Sequence, residues 1–69
     1  MKISARNQIK GTVTEIKEGA VEAQVTLEIC GGQTMVSVIT MDSVKRLGIT
    51  VGSEVFAVVK ADSVMLAVE

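Results

Sequence analysis

The sequence has no histidine, no proline, no tryptophan and no tyrosine, and only one cysteine and one phenylalanine. Without imidazole and with one thiol, the usual four-ligand structural zinc sets of Cys and His cannot be assembled. The single thiol, Cys30, also excludes an intrachain disulfide. It suits a reducing compartment and a role as a small turn or core residue rather than a nucleophile. Phe56 alone gives no stacking platform of the kind that single-stranded nucleic-acid sites use, and a formal net charge of −1 with both signs intermixed gives no broad basic field. Long apolar runs are missing as well. None approaches the length of a membrane-spanning helix, and Met1-Lys2-Ile3 turns polar at Ser4 before a signal core can form. A cytoplasmic location without membrane or nucleic-acid partners is the expectation.

What the chain has is aliphatic bulk. Of its 69 residues 48% are apolar, chiefly Val, Ile, Ala, Met and Leu. A domain of this size still hides only about 60% of the surface its unfolded chain exposes. One domain over residues 1–69 is expected, with a core too small to be comfortable alone. Self-association is the stabiliser left, so a homo-oligomer follows.

Glycines at intervals of roughly ten to twenty residues, among abundant Val, Ile and Thr, punctuate the chain as in a compact antiparallel sheet or barrel. A first strand is expected over Gln8–Ile16, with Ile9, Gly11 and Val13 on one face. Gly11 is unfavourable in a flat strand and marks a bend or a close backbone approach. Lys17-Glu18-Gly19-Ala20 reads as a turn. Val21–Ile29 alternates most clearly, with Val21, Ala23, Val25, Leu27 and Ile29 on one side. Cys30-Gly31-Gly32-Gln33 supplies a hairpin turn whose glycines accept positive φ, and Thr34–Ile39 returns as a third strand apolar on both faces. Thr40–Gly48 changes period to a helix of about two turns. Thr40 caps it, Asp42 sits near its positive end, Lys45 and Arg46 lie in its last turn, and Gly48 ends it. Glu54–Val59 and Ser63–Val68 read as fourth and fifth strands on either side of a polar break. The expected fold class is all-β, a five-stranded OB-type Greek-key barrel with one short helix between strands 3 and 4. An SH3-like barrel is the competing architecture.

Catalysis finds no support. None of the eight acidic residues forms an evident general acid–base pair in a protected loop. Ser43 with Lys60 as a Ser–Lys nucleophile lacks a substrate cleft, and no phosphate-binding or dinucleotide glycine loop occurs. No catalytic residue is expected, and no enzyme. What the chain groups is donors: Ser4 and Arg6 before the first strand, Thr40 and Ser43 at the helix start with its free backbone N–H groups, and Lys60 in the polar break. Brought together, they suit a small oxyanion. A pocket of donors satisfies a fully deprotonated tetrahedral dianion, whereas protonated phosphate would bury an O–H without an acceptor, at a cost of about 1–3 kcal/mol. Molybdate, tungstate or sulfate is therefore favoured over phosphate. The bland alternative is that Arg6 and Lys60 are solvated surface charges, that Thr40 is only an N-cap, and that the N-terminal segment is a loose tail.

Ser4-Ala5-Arg6-Asn7, Gly11-Thr12-Val13, Gly19-Ala20-Val21, Ile39-Thr40 with Ser43, Leu47-Gly48-Ile49, Gly52, Val55 with Ala57, and Lys60-Ala61 together resemble a molybdate-binding Mop domain across essentially the whole chain, and the chain's extent is similar to that of the family's free-standing members. The resemblance implies an OB-type barrel that dimerises by strand exchange or edge pairing and assembles as a hexamer, a trimer of dimers. Its oxyanion sites would lie between subunits. Ser4 and Arg6 of one chain, with Thr40, Ser43, Lys60 and Ala61 of its neighbour, would bind molybdate or tungstate. Lys60 would neutralise charge, Thr40 and Ser43 would donate hydroxyl or amide bonds, and Ala61 would act through its N–H. A second oxyanion site near the threefold axis is implied for Gly19, Ala20 and Val21. The function so implied is intracellular binding, storage and buffering of molybdate and tungstate. No organic cofactor is expected, because a donor pocket without stacking aromatics suits a pterin poorly. A nucleic-acid-binding OB module and a structural or adaptor oligomer are the alternatives.

Overall fold

The computed structural model describes all 69 residues. β1 spans Asn7–Glu18, β2 Glu22–Glu28, β3 Thr34–Thr40 and β4 Glu54–Val59; one helix, α1, covers Met41–Leu47, and short 3-10 turns fall at Cys30–Gly32 and Ala61–Ser63. All pairings are antiparallel, in the sheet order β3-β2-β1-β4. β1 is the spine of this sheet. Its first half, Asn7–Thr12, pairs with Val59–Glu54 of β4, and its second half, Thr12–Glu18, pairs with Glu28–Ala23 of β2. A strand that changes partners halfway must bend, so the sheet curls along it.

Gly11 sits at the changeover. A Cβ there would stand 2.8 Å from Leu27 Cδ1 and 2.9 Å from the Glu28 carbonyl oxygen, so β1 and β2 reach this separation only because the residue has no side chain. The close approach expected from the sequence is present. Two residues on, the register slips: Val13 faces Leu27 but Glu15 faces Thr26. Thr14 is the extra residue of a β-bulge, which reverses the parity of the strand. Ile16, which regular alternation would put on the polar face, therefore packs against the same core as Val13.

That core is small. Val13, Ala23, Val25 and Val44 form it, with Leu27 also buried. The inward set of β2 is thus the one its alternation announces. α1 closes over the core through Val44. Thr40 caps the helix by accepting the Ser43 N–H at 3.1 Å, and Gly48 ends it in the left-handed region at φ 67°.

The five-stranded OB-type Greek-key barrel is not formed. The sheet has four strands and is half-open, with α1 following β3 and lying against β3 and β2. The expected fifth strand, Ser63–Val68, is absent. A 3-10 turn closed by the Ser63 N–H donating to the Lys60 carbonyl at 2.9 Å takes its first residue, and Val64–Glu69 has no regular structure. Apolar composition and alternation mark a segment that can be half-buried, but a strand exists only where an edge is available to satisfy its backbone. Here Met65, Leu66 and Val68 are 92%, 92% and 98% exposed. β3 and β4 do not pair with each other. Between them lies an apolar cleft of about 270 Å³, walled by Val25, Ile39, Ile49, Val55 and Phe56 among others.

The outer surface carries the consequence. The chain exposes 5514 Å², against about 4,200 Å² for a compact monomer of its mass. Val36, Val38, Leu47, Val51 and Phe56 are each more than half exposed. No helix is long and apolar enough to cross a membrane.

Candidate functional site

The β1–β4 ladder begins with Asn7 opposite Val59, and the Asn7 side-chain amide donates to the Val59 carbonyl at 3.2 Å. This pair brings the segment before Asn7 alongside the segment after Val59. Gln8 Nε2 donates to the Ala5 carbonyl at 2.9 Å and folds the N-terminal segment back onto the strand. Ser4 and Arg6 are exposed, and neither side chain makes a hydrogen bond or ion pair within the chain. On the facing segment, the 3-10 turn uses the amides of Ser63 and Val64. The Ala61 and Asp62 amides donate to nothing in the chain. One end of β1 thus carries Ser4, Arg6, Lys60 and the Ala61 N–H, with all these donors free except the Lys60 ammonium.

The other end of β1 is built by the helix start. Thr40 stands opposite Glu22 at the end of the β2–β3 ladder, next to where Ala23 meets Glu18. The Thr40 hydroxyl accepts the Ser43 N–H at 3.1 Å and donates to Ser43 Oγ at 2.9 Å. Capping therefore occupies Thr40 in both directions, and the half-buried Ser43 keeps its own O–H as the free donor of the pair. Ala20 and Val21 line a shallow depression with Thr40, Met41, Asp42 and Lys45. The Val21 carbonyl accepts the Met41 N–H at 2.8 Å, and the Gly19 N–H donates to the Glu22 carbonyl at 2.8 Å. Ala20 and Val21 therefore border Thr40, and Gly19 lies in the turn that precedes them.

One chain does not gather the six donors. The 12 residues of β1 separate the two ends, a run on the order of 40 Å if straight and less on a curled sheet. Lys60 and Ala61 lie beside Arg6 of their own chain, while Thr40 and Ser43 lie at the opposite end. A pocket holding all six requires a second chain. The sequence pattern overlooked Asp62, whose Oδ2 lies 3.7 Å from Lys60 Nζ. The site region is therefore not made of donors alone; a carboxylate two positions after the lysine was the visible sign. No group of three or more His, Cys, Asp or Glu side chains is placed to hold a metal ion.

Residues 3–66 match the family model of the TOBE domain, and the chain belongs to that family. Molybdenum-pterin-binding protein 2 of Clostridium pasteurianum is 53% identical over 66 residues, covering 96% of this chain and 97% of its own. The structure of MopII from Clostridium pasteurianum in an apo form matches with a TM-score of 0.92 at 51% identity, over 97% of this chain and 100% of that one. The cytoplasmic molybdate-binding protein ModG, solved with molybdate bound, matches with a TM-score of 0.83 at 52% identity, over 88% of this chain and 43% of that one. Within the TOBE family the chain is a Mop domain of the molbindin type.

Proposed function

We propose that this protein binds molybdate, and tungstate, in the cytoplasm and buffers their supply, at sites formed between chains. One observation carries the reading: the unengaged Ser4, Arg6 and Ala61 N–H donors lie at the same end of β1 as Lys60, in a chain 52% identical to a protein solved with molybdate bound. A tetrahedral dianion offers acceptors only, and charge-assisted bonds from Arg6 and Lys60 with N–H and O–H donors around them match it. Ser43 of a neighbouring chain completes the set, held in place by the Thr40 hydroxyl that caps its helix, and Gly19, Ala20 and Val21 line a second oxyanion position. No organic cofactor and no catalytic step is involved.

The protein works as a homo-oligomer. Its surplus of exposed apolar surface calls for burial, and its own core is too small to stabilise it well alone. The C-terminal arm of one chain, Val64–Val68, seats its apolar residues in the cleft between β3 and β4 of the next, and three such dimers form a hexamer. Residues 1–69 act as a single domain within it. Light scattering that gave a stable monomer with full binding would overturn this assembly.

Equilibrium titration at fixed ionic strength tests the reading. Saturable molybdate binding in the presence of excess phosphate is the expected result. Salt-sensitive binding of an oligonucleotide without molybdate binding would instead make the protein a nucleic-acid module, and neither would make it a structural oligomer.

A further inference from the structure

Two ion pairs occur in the chain. Lys10 Nζ lies 3.2 Å from Glu54 Oε1, towards the Thr12–Glu54 end of the β1–β4 ladder. Lys60 Nζ lies 3.7 Å from Asp62 Oδ2, at the end of β1 where the free donors gather. The second pair is set by local backbone: the 3-10 turn that starts after Lys60 holds Asp62 two positions on, through the bond from the Ser63 N–H to the Lys60 carbonyl at 2.9 Å. Both side chains are more than 70% exposed, so in the free chain water screens the pair and it is easily opened. Covering this end with a second chain removes water and strengthens attraction and repulsion alike. The ammonium that would meet a dianion therefore already has a carboxylate beside it.

We propose that Asp62 is a built-in counter-ion of the oxyanion site, competing with the ligand for Lys60 and lowering its affinity. The inference rests on the reading of Lys60 as a ligand. An incoming anion must either displace the carboxylate from the ammonium or share the ammonium with it against charge repulsion. Lys60 and Arg6 together outweigh the one carboxylate, so a dianion is still held more strongly than a monoanion. Asp62 thus masks Lys60 when the site is empty and lowers the affinity of the anion that enters. A buffering protein gains from such a device, since the ligand must also be released.

Titration of the assembled protein with sodium molybdate tests this, using Asp62→Asn, Lys60→Ala, the double variant, and Glu54→Gln as a control for charge removed from the other pair. The expected result for Asp62→Asn is a molybdate Kd lower by about two- to five-fold, the range of an exposed ion pair, with a smaller gain at high salt. Lys60→Ala weakens binding, the double variant binds as Lys60→Ala does, and Glu54→Gln binds as the parent does. Unchanged or weaker binding in Asp62→Asn, with Lys60→Ala impaired, overturns the proposal and leaves the molybdate site standing. The same gain in Glu54→Gln, or in the Lys60→Ala background, reduces the effect to net charge and also overturns it. Unchanged affinity in Lys60→Ala removes the ligand reading itself, and the proposal with it.

Discussion

Asn7 and Val59 face each other across the β1–β4 ladder, and the Asn7 side-chain amide donates to the Val59 carbonyl at 3.2 Å. This contact ties a polar N-terminal segment, ordinarily the least ordered part of a domain, to the strand that ends just before Lys60. Asn7→Ala should therefore act on the site more than on the fold. The stability loss should be about 0.5–1.5 kcal/mol, the net contribution of one hydrogen bond. Faster amide exchange at Ala5 and Arg6 and weaker molybdate binding are expected with it. Unchanged exchange in that segment would show that Asn7 does not hold it.

Gly11→Ala should be costly despite the small size of the change. The added Cβ would meet Leu27 Cδ1 at 2.8 Å and the Glu28 carbonyl oxygen at 2.9 Å. The Leu27 side chain can give way, but the backbone oxygen moves only if β1 and β2 separate. A loss of about 1–3 kcal/mol, the usual range for overpacking, should appear in urea unfolding at fixed protein concentration. A neutral substitution would mean that the two strands separate freely.

Much of this fold was legible in the sequence because it is local. Ala23, Val25 and Leu27 alternate within one strand, and Thr40, Ser43 and Gly48 mark a helix by capping chemistry that needs no distant partner. Gly11 announced a close approach without naming what approaches. The bulge at Thr14 stayed hidden, since it depends on the register against Thr26, and only the misplaced parity of Ile16 hinted at it. Ser63–Val68 misled for a related reason: its pattern states that the segment can be half-buried, not that an edge lies within reach. The candidate donors were legible as a set, but their division between the two ends of β1 follows from strand pairing, and the partner of Lys60 was overlooked.

Thr40 and Ser43 should separate by their effects. Thr40→Ala removes the N-cap and should cost about 1 kcal/mol, lowering the melting temperature by about 4–8 °C for a chain of this size; Thr40→Ser should restore most of it. Ser43→Ala keeps the cap, because the Thr40 hydroxyl still accepts the backbone N–H at position 43. It should weaken molybdate binding with little thermal effect. Equal thermal losses in both variants would assign Ser43 to the helix alone.

Leu66→Asp tests the C-terminal arm. Leu66 is 92% exposed within the chain, so a monomer should tolerate the change almost freely. If the arm is buried against another chain, the variant loses about 1.5–3 kcal/mol of apolar burial for each arm and adds a charge to an apolar cleft. Light scattering should then show dissociation at concentrations where the parent stays assembled. An unchanged mass would place the arm outside the interface.

The most direct measurement is a crystal structure grown with molybdate, with the metal located by its anomalous signal. A peak is expected between chains, within hydrogen-bonding distance of Lys60 and the Ala61 N–H of one chain and near Ser43 of another. A peak enclosed by residues of a single chain, or no peak at either end of β1, would contradict a site formed between chains.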